Sequence, residues 1–174
     1  AAVDRHALAW MWLDGATLDT LPTGAPATMA AYRAAGVALA ELHRRPAAGY
    51  PIYDQNAEAD AFTEAAQAII ALAPEYAPRV DAILATLAAH LACLGRERAL
   101  LHGDFSPDQI LVAPDDCDNV TLLDLDRAGA GNPAADVGAL AAWLRRRALD
   151  GAADDGALDA LLAGYAAVAT PPAP

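Results

Sequence analysis

The chain contains no lysine: all eleven of its basic side chains are arginines, set against twenty-three aspartates and glutamates. A chain without lysine cannot by itself supply a catalytic lysine or a lysine that grips a phosphate. The formal net charge of −12 also repels nucleic-acid backbones and anionic membrane surfaces. We therefore expect neither a nucleic-acid partner nor a membrane partner.

Cysteines are scarce and long apolar runs are missing. Cys93 and Cys117 allow at most one disulfide, too few for a disulfide-stapled secreted scaffold. The first residues do not resemble a signal peptide. No stretch reaches the roughly 18 consecutive apolar residues of a membrane span. These absences together indicate a cytoplasmic protein.

What the chain has in abundance is apolar residues, which make up 56% of its 174 positions, while charged residues make up 20%. This balance argues against intrinsic disorder. The length suits one domain and allows a substantial buried core. Apolar residues recur at helical spacing over most of the chain. They predict helices at about 27–43, 57–73, 74–94, 134–149 and 155–169.

Two segments depart from this helical pattern. Residues 6–13 predict a short buried strand that stops at the turn Asp14-Gly15. Residues 100–125 contain two short apolar runs, at 110–112 and 120–123, on either side of a turn rich in Asp and Asn at 114–119. This second pattern predicts a β-hairpin. The expected fold class is therefore α+β and mainly α-helical.

The side chains suited to chemistry lie in and around this hairpin. A polar loop at 102–109 contains Asp104 and runs into the first strand, and the return strand ends at Asp124 and Asp126. Carboxylates brought close together repel each other unless a cation or a proton lies between them. A Mg²⁺ ion held by one or two carboxylates and by phosphate oxygens is one solution. A further carboxylate placed off the metal can accept a hydroxyl proton, which is the arrangement that phosphoryl transfer uses.

The same loop carries a resemblance to a known family. His102, Asp104 and Gln109 resemble the catalytic loop of the protein-kinase-like fold, which has His-x-Asp followed five residues later by Asn. Gly103 resembles the variant found in aminoglycoside phosphotransferases, choline kinases and homoserine kinases. Asp124 resembles the metal-binding Asp of that branch.

Three further segments resemble the same branch in the same order along the chain. Residues 6–18 look like its hinge strand, and the helix that ends at His43 matches its next landmark. The segment from Gly131 to Asp136 resembles the Gly-Asp-Pro-x-x-Asp segment downstream of the metal-binding Asp. Four ordered landmarks across residues 6–140 make the match specific.

The resemblance implies a role for each residue of the loop and hairpin. Asp104 is implied as the general base or the orienter of the substrate hydroxyl, and Asp124 as the main Mg²⁺ ligand. Gln109 takes the second metal-ligand position, where Asn is usual, and reaches one methylene further. Asp126 is either a further carboxylate of the metal site or a partner of the metal ligands.

The resemblance also implies contacts to ATP and two supporting residues. Met11 and Leu13 lie in the hinge, whose backbone would meet adenine. Ser106 stands where protein kinases place a lysine near the γ-phosphate, and its hydroxyl offers one hydrogen bond without a charge. Asp136 is implied to hold the catalytic loop through backbone hydrogen bonds, and His102 is expected to be structural, buried behind the loop.

The implied architecture is a protein-kinase-like C-terminal lobe whose short β-hairpin carries the active-site loop. Residues 1–19 are expected to form the hinge strand and linker, 20–169 the helical lobe, and 170–174 a Pro-rich tail. The β-rich N-terminal lobe, which carries a glycine-containing loop and a lysine in this fold, is expected to be absent from the chain. Its absence predicts weak or no activity for the chain alone.

The function implied is transfer of the γ-phosphate of ATP, with Mg²⁺, to a hydroxyl of a small molecule such as an aminoglycoside, a sugar or an amino alcohol. Two alternatives stay open. One is a kinase-like module that binds a ligand or partner without catalysis, favoured by the missing lysine and by Gln109 in place of Asn. The other is a metal-dependent phosphate hydrolase that uses Asp104, Asp124 and Asp126.

Overall fold

The structure is a computed structural model that describes residues 12–53, 55–93, 95, 97–152 and 155–172. Its helices are α1 (Pro26–His43), α2 (Gln55–Leu72), α3 (Ala77–Cys93), α4 (Ala134–Leu149) and α5 (Ala157–Ala166). The helices predicted from the sequence are confirmed, with ends that differ by at most three residues. Most of the strand predicted at 6–13 lies outside the described residues, and positions 12–15 are not in a strand.

The strands form two small antiparallel sheets. They are β1 (Ala16–Thr17), β2 (Ala99–Leu101), β3 (Ile110–Ala113), β4 (Asp116–Leu122) and β5 (Gly129–Gly131). One sheet has the order β1-β3-β4, and the other pairs β2 with β5. The mainly helical α+β class is therefore confirmed. The β3–β4 hairpin also confirms the hairpin expected from the two apolar runs.

The turn predicted at 114–119 is too long. Strand β4 already begins at Asp116, which pairs with Ala113 across an irregular register after Val112. The Asp116 carboxylate accepts a hydrogen bond from the backbone N–H of Asp118 at 3.1 Å. Residues 116–119 are polar and suggest a turn by composition, but pairing with β3 extends the strand through them.

The core is built around α1, whose buried face combines small residues with Tyr32, Leu39 and His43. Close packing of α1 against α5 depends on two glycines. A Cβ atom at Gly36 would lie 2.0 Å from the carbonyl oxygen of Leu161, and one at Gly164 would lie 1.9 Å from that of Arg33. No real Cβ approaches an oxygen so closely, so each glycine lets one helix backbone touch the other. This packing holds α5 against the element that ends at His43.

Helices α2 and α3 pack mainly on each other and lie beside this core. Within the described chain α3 has no buried residue, and Phe62, Ile69 and Ile83 of the pair are exposed. None of the helices in the described ranges is long and apolar enough to cross a membrane.

Candidate active site

The candidate catalytic loop connects β2 to β3 and turns from the interior to the surface within two residues. His102 is fully buried, whereas the Asp104 side chain is 52% exposed. Between them Gly103 has a φ of +83°, which glycine adopts without steric cost. A Cβ at Gly103 would lie 2.0 Å from the carbonyl oxygen of Arg127. The loop therefore requires glycine here both for its conformation and for its space.

Asp136, in the first turn of α4, holds the start of this loop. Its Oδ2 accepts the backbone N–H of His102 at 2.8 Å, and its Oδ1 accepts that of Gly103 at 3.0 Å. The carboxyl group is 2% exposed, so these hydrogen bonds form in a medium that weakens electrostatics less than water does. Both hydrogen bonds are of the kind that the family resemblance implies for this residue.

A buried chain of polar groups continues from Asp136 to α5. His43 Nε2 lies 3.0 Å from Asp136 Oδ2, and His43 Nδ1 lies 2.8 Å from the Tyr165 hydroxyl. Because a carboxylate accepts, Nε2–H of His43 donates to Asp136, and in the neutral imidazole Nδ1 then accepts from the Tyr165 O–H. Burial, and secondly the charge of Asp136, raises the pKa of Tyr165 above its ordinary value. The sequence identifies His43 only as the last residue of a landmark helix, and no motif indicates its connection to Asp136 and Tyr165.

His102 connects the loop to the segment that carries Asp124. Its Nε2–H donates to the carbonyl oxygen of Leu123 at 2.7 Å, and the Leu123 N–H donates to the carbonyl oxygen of Gln109 at 2.8 Å. Both ends of the loop thus hold the residue that precedes Asp124. His102 Nδ1 is buried and has no partner among the described residues.

Asp124 itself has a left-handed backbone, with φ 53° and ψ 65°. Asp and Asn adopt this conformation more readily than most residues with a Cβ. The turn directs the chain out of β4 into the short 3₁₀ segment Leu125–Arg127 and leaves Asp124 and Asp126 exposed. The hydrogen bond between Leu123 and Gln109 therefore places the backbone of Gln109 beside the residue that precedes Asp124. Gln109 and Asp124 are two of the predicted metal ligands.

The donor types of this group suit magnesium. Gln109 offers an amide oxygen, and Asp124 and Asp126 offer carboxylate oxygens, the ligands that Mg²⁺ prefers. In the described part of the chain, no three His, Cys, Asp or Glu side chains are grouped so as to hold a metal. Asp104, Asp124 and Asp126 therefore do not form the three-carboxylate centre that the hydrolase alternative requires. A site of one or two carboxylates, completed by phosphate oxygens, remains compatible with the donors.

The remaining predicted site residues differ in their contacts and exposure. Asp104 Oδ2 lies 3.8 Å from Arg127 Nη1, an exposed pair of small energetic weight. The Ser106 hydroxyl donates to Asp108 Oδ1 at 2.6 Å, so a bond to phosphate requires it to leave that partner. Leu13 is 41% exposed, and Met11 lies outside the described residues.

Two cavities of about 220 and 260 Å³ lie elsewhere, between α4 and α5 and between α2 and α3. Neither is lined by any of the predicted site residues. Among the described residues of the candidate site, Asp104, Asp124 and Asp126 are exposed at the surface of the loop and the hairpin end.

This fold is that of a kinase-like lobe. Residues 4–170 match the profile of the phosphotransferase enzyme family, abbreviated APH. The chain belongs to that family, as the resemblance in its sequence indicates. A search among curated proteins gave no match.

Solved structures share the fold at low sequence identity. Aminoglycoside phosphotransferase APH(3'')-Id from Streptomyces rimosus, in complex with ADP and streptomycin, is 22% identical with a TM-score of 0.57, over 87% of this chain and 60% of that one. Aminoglycoside-3'-phosphotransferase of type VIII is 20% identical with a TM-score of 0.64, over 90% and 59%. Glucosamine kinase with glucosamine, ADP and inorganic phosphate is 21% identical with a TM-score of 0.57, over 88% and 44%. The chain spans about 60% or less of the length of these proteins.

Proposed function

We propose that this chain is the acceptor- and metal-binding lobe of a cytoplasmic ATP-dependent kinase of small hydroxylated molecules, such as aminoglycosides, sugars or amino alcohols. The observation that carries the proposal is the loop held by Asp136, which presents Asp104 at the surface while both its ends hold the residue before Asp124. The family membership supports phosphotransfer as the reaction class.

Asp104 is the proposed general base, or the orienter of the acceptor hydroxyl. The acceptor oxygen forms a bond to the γ-phosphorus of ATP as the bond from that phosphorus to the β–γ bridging oxygen breaks. ADP leaves with the electron pair of the broken bond, and the hydroxyl proton passes to the Asp104 carboxylate. The exposure of Asp104 favours this role because the acceptor must reach it from solvent.

Gln109 and Asp124 are the residues that would hold Mg²⁺, with Asp126 as a further carboxylate or a partner of these ligands. Bound Mg²⁺ neutralises charge on the phosphate oxygens of the nucleotide. The hinge backbone at Met11 and Leu13 is proposed to meet adenine, and the Ser106 hydroxyl to donate to a phosphate. The ADP complexes of the Streptomyces rimosus enzyme and of glucosamine kinase support a nucleotide donor.

The relatives and the net charge support the proposed acceptor class. Streptomycin and glucosamine occupy two of the similar structures, and both carry hydroxyl and basic groups. The net charge of −12 favours a cationic acceptor by long-range attraction.

A second lobe is part of the proposal. This chain has no lysine to hold the phosphates, and the similar solved structures are longer. Residues 1–19 are then the hinge strand and linker, 20–169 the helical lobe and 170–174 a tail. We expect the chain alone to be weak or inactive. The complete product of its reading frame is expected to turn over ATP.

Substitution of Asp104 tests the proposed reaction. ADP release is measured for the chain and for the complete product, with Mg-ATP and a panel of aminoglycosides, aminosugars and amino alcohols. We expect Asp104→Ala to lower kcat/KM about 10²- to 10⁴-fold because it removes the proton acceptor. Asp115→Asn, in the exposed β3–β4 turn, is the matched control and should match the unmodified protein.

Two results contradict the proposal: no ATP turnover by the complete product with any acceptor, or an unchanged rate in its Asp104→Ala variant. Titration calorimetry of the chain with Mg-ATP then separates the alternatives. A non-catalytic module that binds only a partner protein should give no heat with Mg-ATP. Release of phosphate from an ester without nucleotide would favour the hydrolase.

A further inference from the structure

A tyrosine outside the predicted site contacts the base of the candidate loop. Tyr53 lies between α1 and α2, and its phenolic O–H donates to the main-chain carbonyl of Arg127. A Cβ placed on Gly103 would lie 2.8 Å from the Tyr53 hydroxyl and 2.0 Å from that same carbonyl oxygen. The Tyr53 hydroxyl, the Arg127 carbonyl and Gly103 are therefore in close contact. Asp104 directly follows Gly103 in the chain.

The backbone around Tyr53 is itself held in place. The Tyr53 N–H donates to the Ala130 carbonyl at 2.9 Å, and the Ala130 N–H donates to the Pro51 carbonyl at 2.7 Å. Ile52 forms a parallel bridge with Ala130, so this segment lines the edge of β5. These hydrogen bonds fix the position of the Tyr53 backbone, from which the ring extends.

The ring is placed by glycines in β5. A Cβ at Gly129 would lie 2.3 Å from Tyr53 Cε2, and one at Gly131 would lie 3.2 Å from Tyr53 Cβ. Since glycine has no Cβ, the ring lies directly on the strand and the hydroxyl reaches Arg127. An aromatic ring with two rotatable bonds, packed in this way, holds its hydroxyl with little loss of further entropy.

Arg127 joins this contact to the proposed base. Its carbonyl accepts from Tyr53, and its guanidinium lies 3.8 Å from the Asp104 carboxylate. The position of the Arg127 main chain therefore influences both the packing of Gly103 and the cation beside Asp104. Tyr53 is 37% exposed, so it is not simply a core residue.

We propose that Tyr53 is a positioning residue for phosphotransfer, acting through Arg127 and Gly103 on Asp104. This proposal rests on the proposed function of Asp104. Loss of the hydroxyl leaves the Arg127 carbonyl without this donor and allows the loop to shift. Small displacements of a group that accepts a proton lower the rate more than they lower substrate binding.

The first test compares two matched tyrosine substitutions in the complete product, with an acceptor that supports turnover. Tyr53→Phe should lower kcat about 3- to 10-fold, the equivalent of one ordinary hydrogen bond, and leave the KM for ATP unchanged. Tyr50→Phe changes an exposed tyrosine of the same segment and should match the unmodified enzyme. Thermal midpoints are measured for both variants to show that they are folded.

A double-mutant cycle tests whether the effect passes through Arg127. Arg127→Lys keeps the carbonyl and a positive charge but changes the group beside Asp104. If Tyr53 acts through Arg127, the loss of kcat in the double variant should be less than the product of the two single losses. Independent, multiplying losses would contradict the proposed route.

Hydrogen exchange gives a readout that does not need turnover. In the chain itself, Tyr53→Phe should speed exchange of the amides at 103–104 and 127–129 and leave α5 unchanged. Faster local exchange with an unchanged kcat in an active enzyme would make Tyr53 a structural contact only and overturn the proposal. Absence of turnover in the unmodified protein would contradict the proposed function, and the role of Tyr53 would fall with it.

Discussion

Gly103 shows how much of the candidate site depends on a single residue without a side chain. Its φ of +83° and the nearby Arg127 carbonyl leave no room for a Cβ. We expect Gly103→Ala to lower the free energy of unfolding by more than about 2 kcal/mol, because left-handed backbone alone costs about 1–2 kcal/mol for alanine and the steric contact adds to it. Urea unfolding followed by circular dichroism measures the change.

Gly49 is the matched control for that substitution. It has a φ of +91° but no described atom within 4 Å of the position of a Cβ. Gly49→Ala therefore has the cost of the left-handed backbone without a steric contact, and it should lower the free energy of unfolding by about 1–2 kcal/mol. Equal losses in the two variants would show that the contact with Arg127 has no energetic weight.

The residues that a sequence pattern can identify differ from those that need a structure. Asp104, Gln109 and Asp124 lie within one short segment, and the resemblance of that segment to a family motif implies their roles. The bond from Tyr53 to Arg127 spans 74 positions, and the bond from His43 to Tyr165 spans 122. No local spacing relates such pairs, so only the folded chain reveals which backbone or side chain each tyrosine serves.

The helices and strands were predictable to different degrees. Helical periodicity over 16 to 18 residues is a strong signal, and α1 and α4 begin and end within one residue of the expected positions. Strands β2 and β5 have three residues each, too few for alternation to show, and β5 is the glycine-rich run from Gly129 to Gly131. Strand β2 pairs with β5 across the intervening loop and hairpin, a pairing that local strand propensity does not indicate.

Contact between α1 and α5 is the packing between elements on which the buried polar chain depends. Gly36→Ala should lower the free energy of unfolding by about 1–3 kcal/mol, because its Cβ would meet the Leu161 carbonyl at 2.0 Å and force the helices apart. The same change should speed amide exchange at the start of the candidate loop, because separation of the helices pulls Tyr165 from His43. Chemical denaturation and hydrogen exchange measure the two effects.

Gly138, inside α4, provides the control for a glycine-to-alanine change in a helix. No described atom lies within 4 Å of the position of its Cβ, so Gly138→Ala should gain about 0.5–1 kcal/mol from helix propensity. A Gly36→Ala protein as stable as Gly138→Ala would contradict the close α1–α5 packing.

At the scale of the whole molecule, the missing lysines simplify the response to alkaline pH. Lysine and tyrosine side chains ordinarily titrate in the same range, near pH 10. No lysine contributes in this range, so the side chain of this chain with an ordinary pKa near 10 is tyrosine, which occurs five times.

Tyr165 should contribute to that response. Burial and the charge of Asp136 raise its pKa above the ordinary 10.0, so the unfolded chain releases this proton at lower pH than the folded protein, and stability falls as pH rises above about 10. Tyr165→Phe removes the hydrogen bond to His43 and should lower the free energy of unfolding by about 1 kcal/mol at pH 7. Between pH 9 and 11, however, the free energy of unfolding of this variant should fall less steeply than that of the unmodified protein. Tyr76→Phe, which changes an exposed tyrosine, should keep the original slope. An unchanged slope in Tyr165→Phe, measured by urea unfolding at each pH, would show that this buried hydroxyl does not govern alkaline stability.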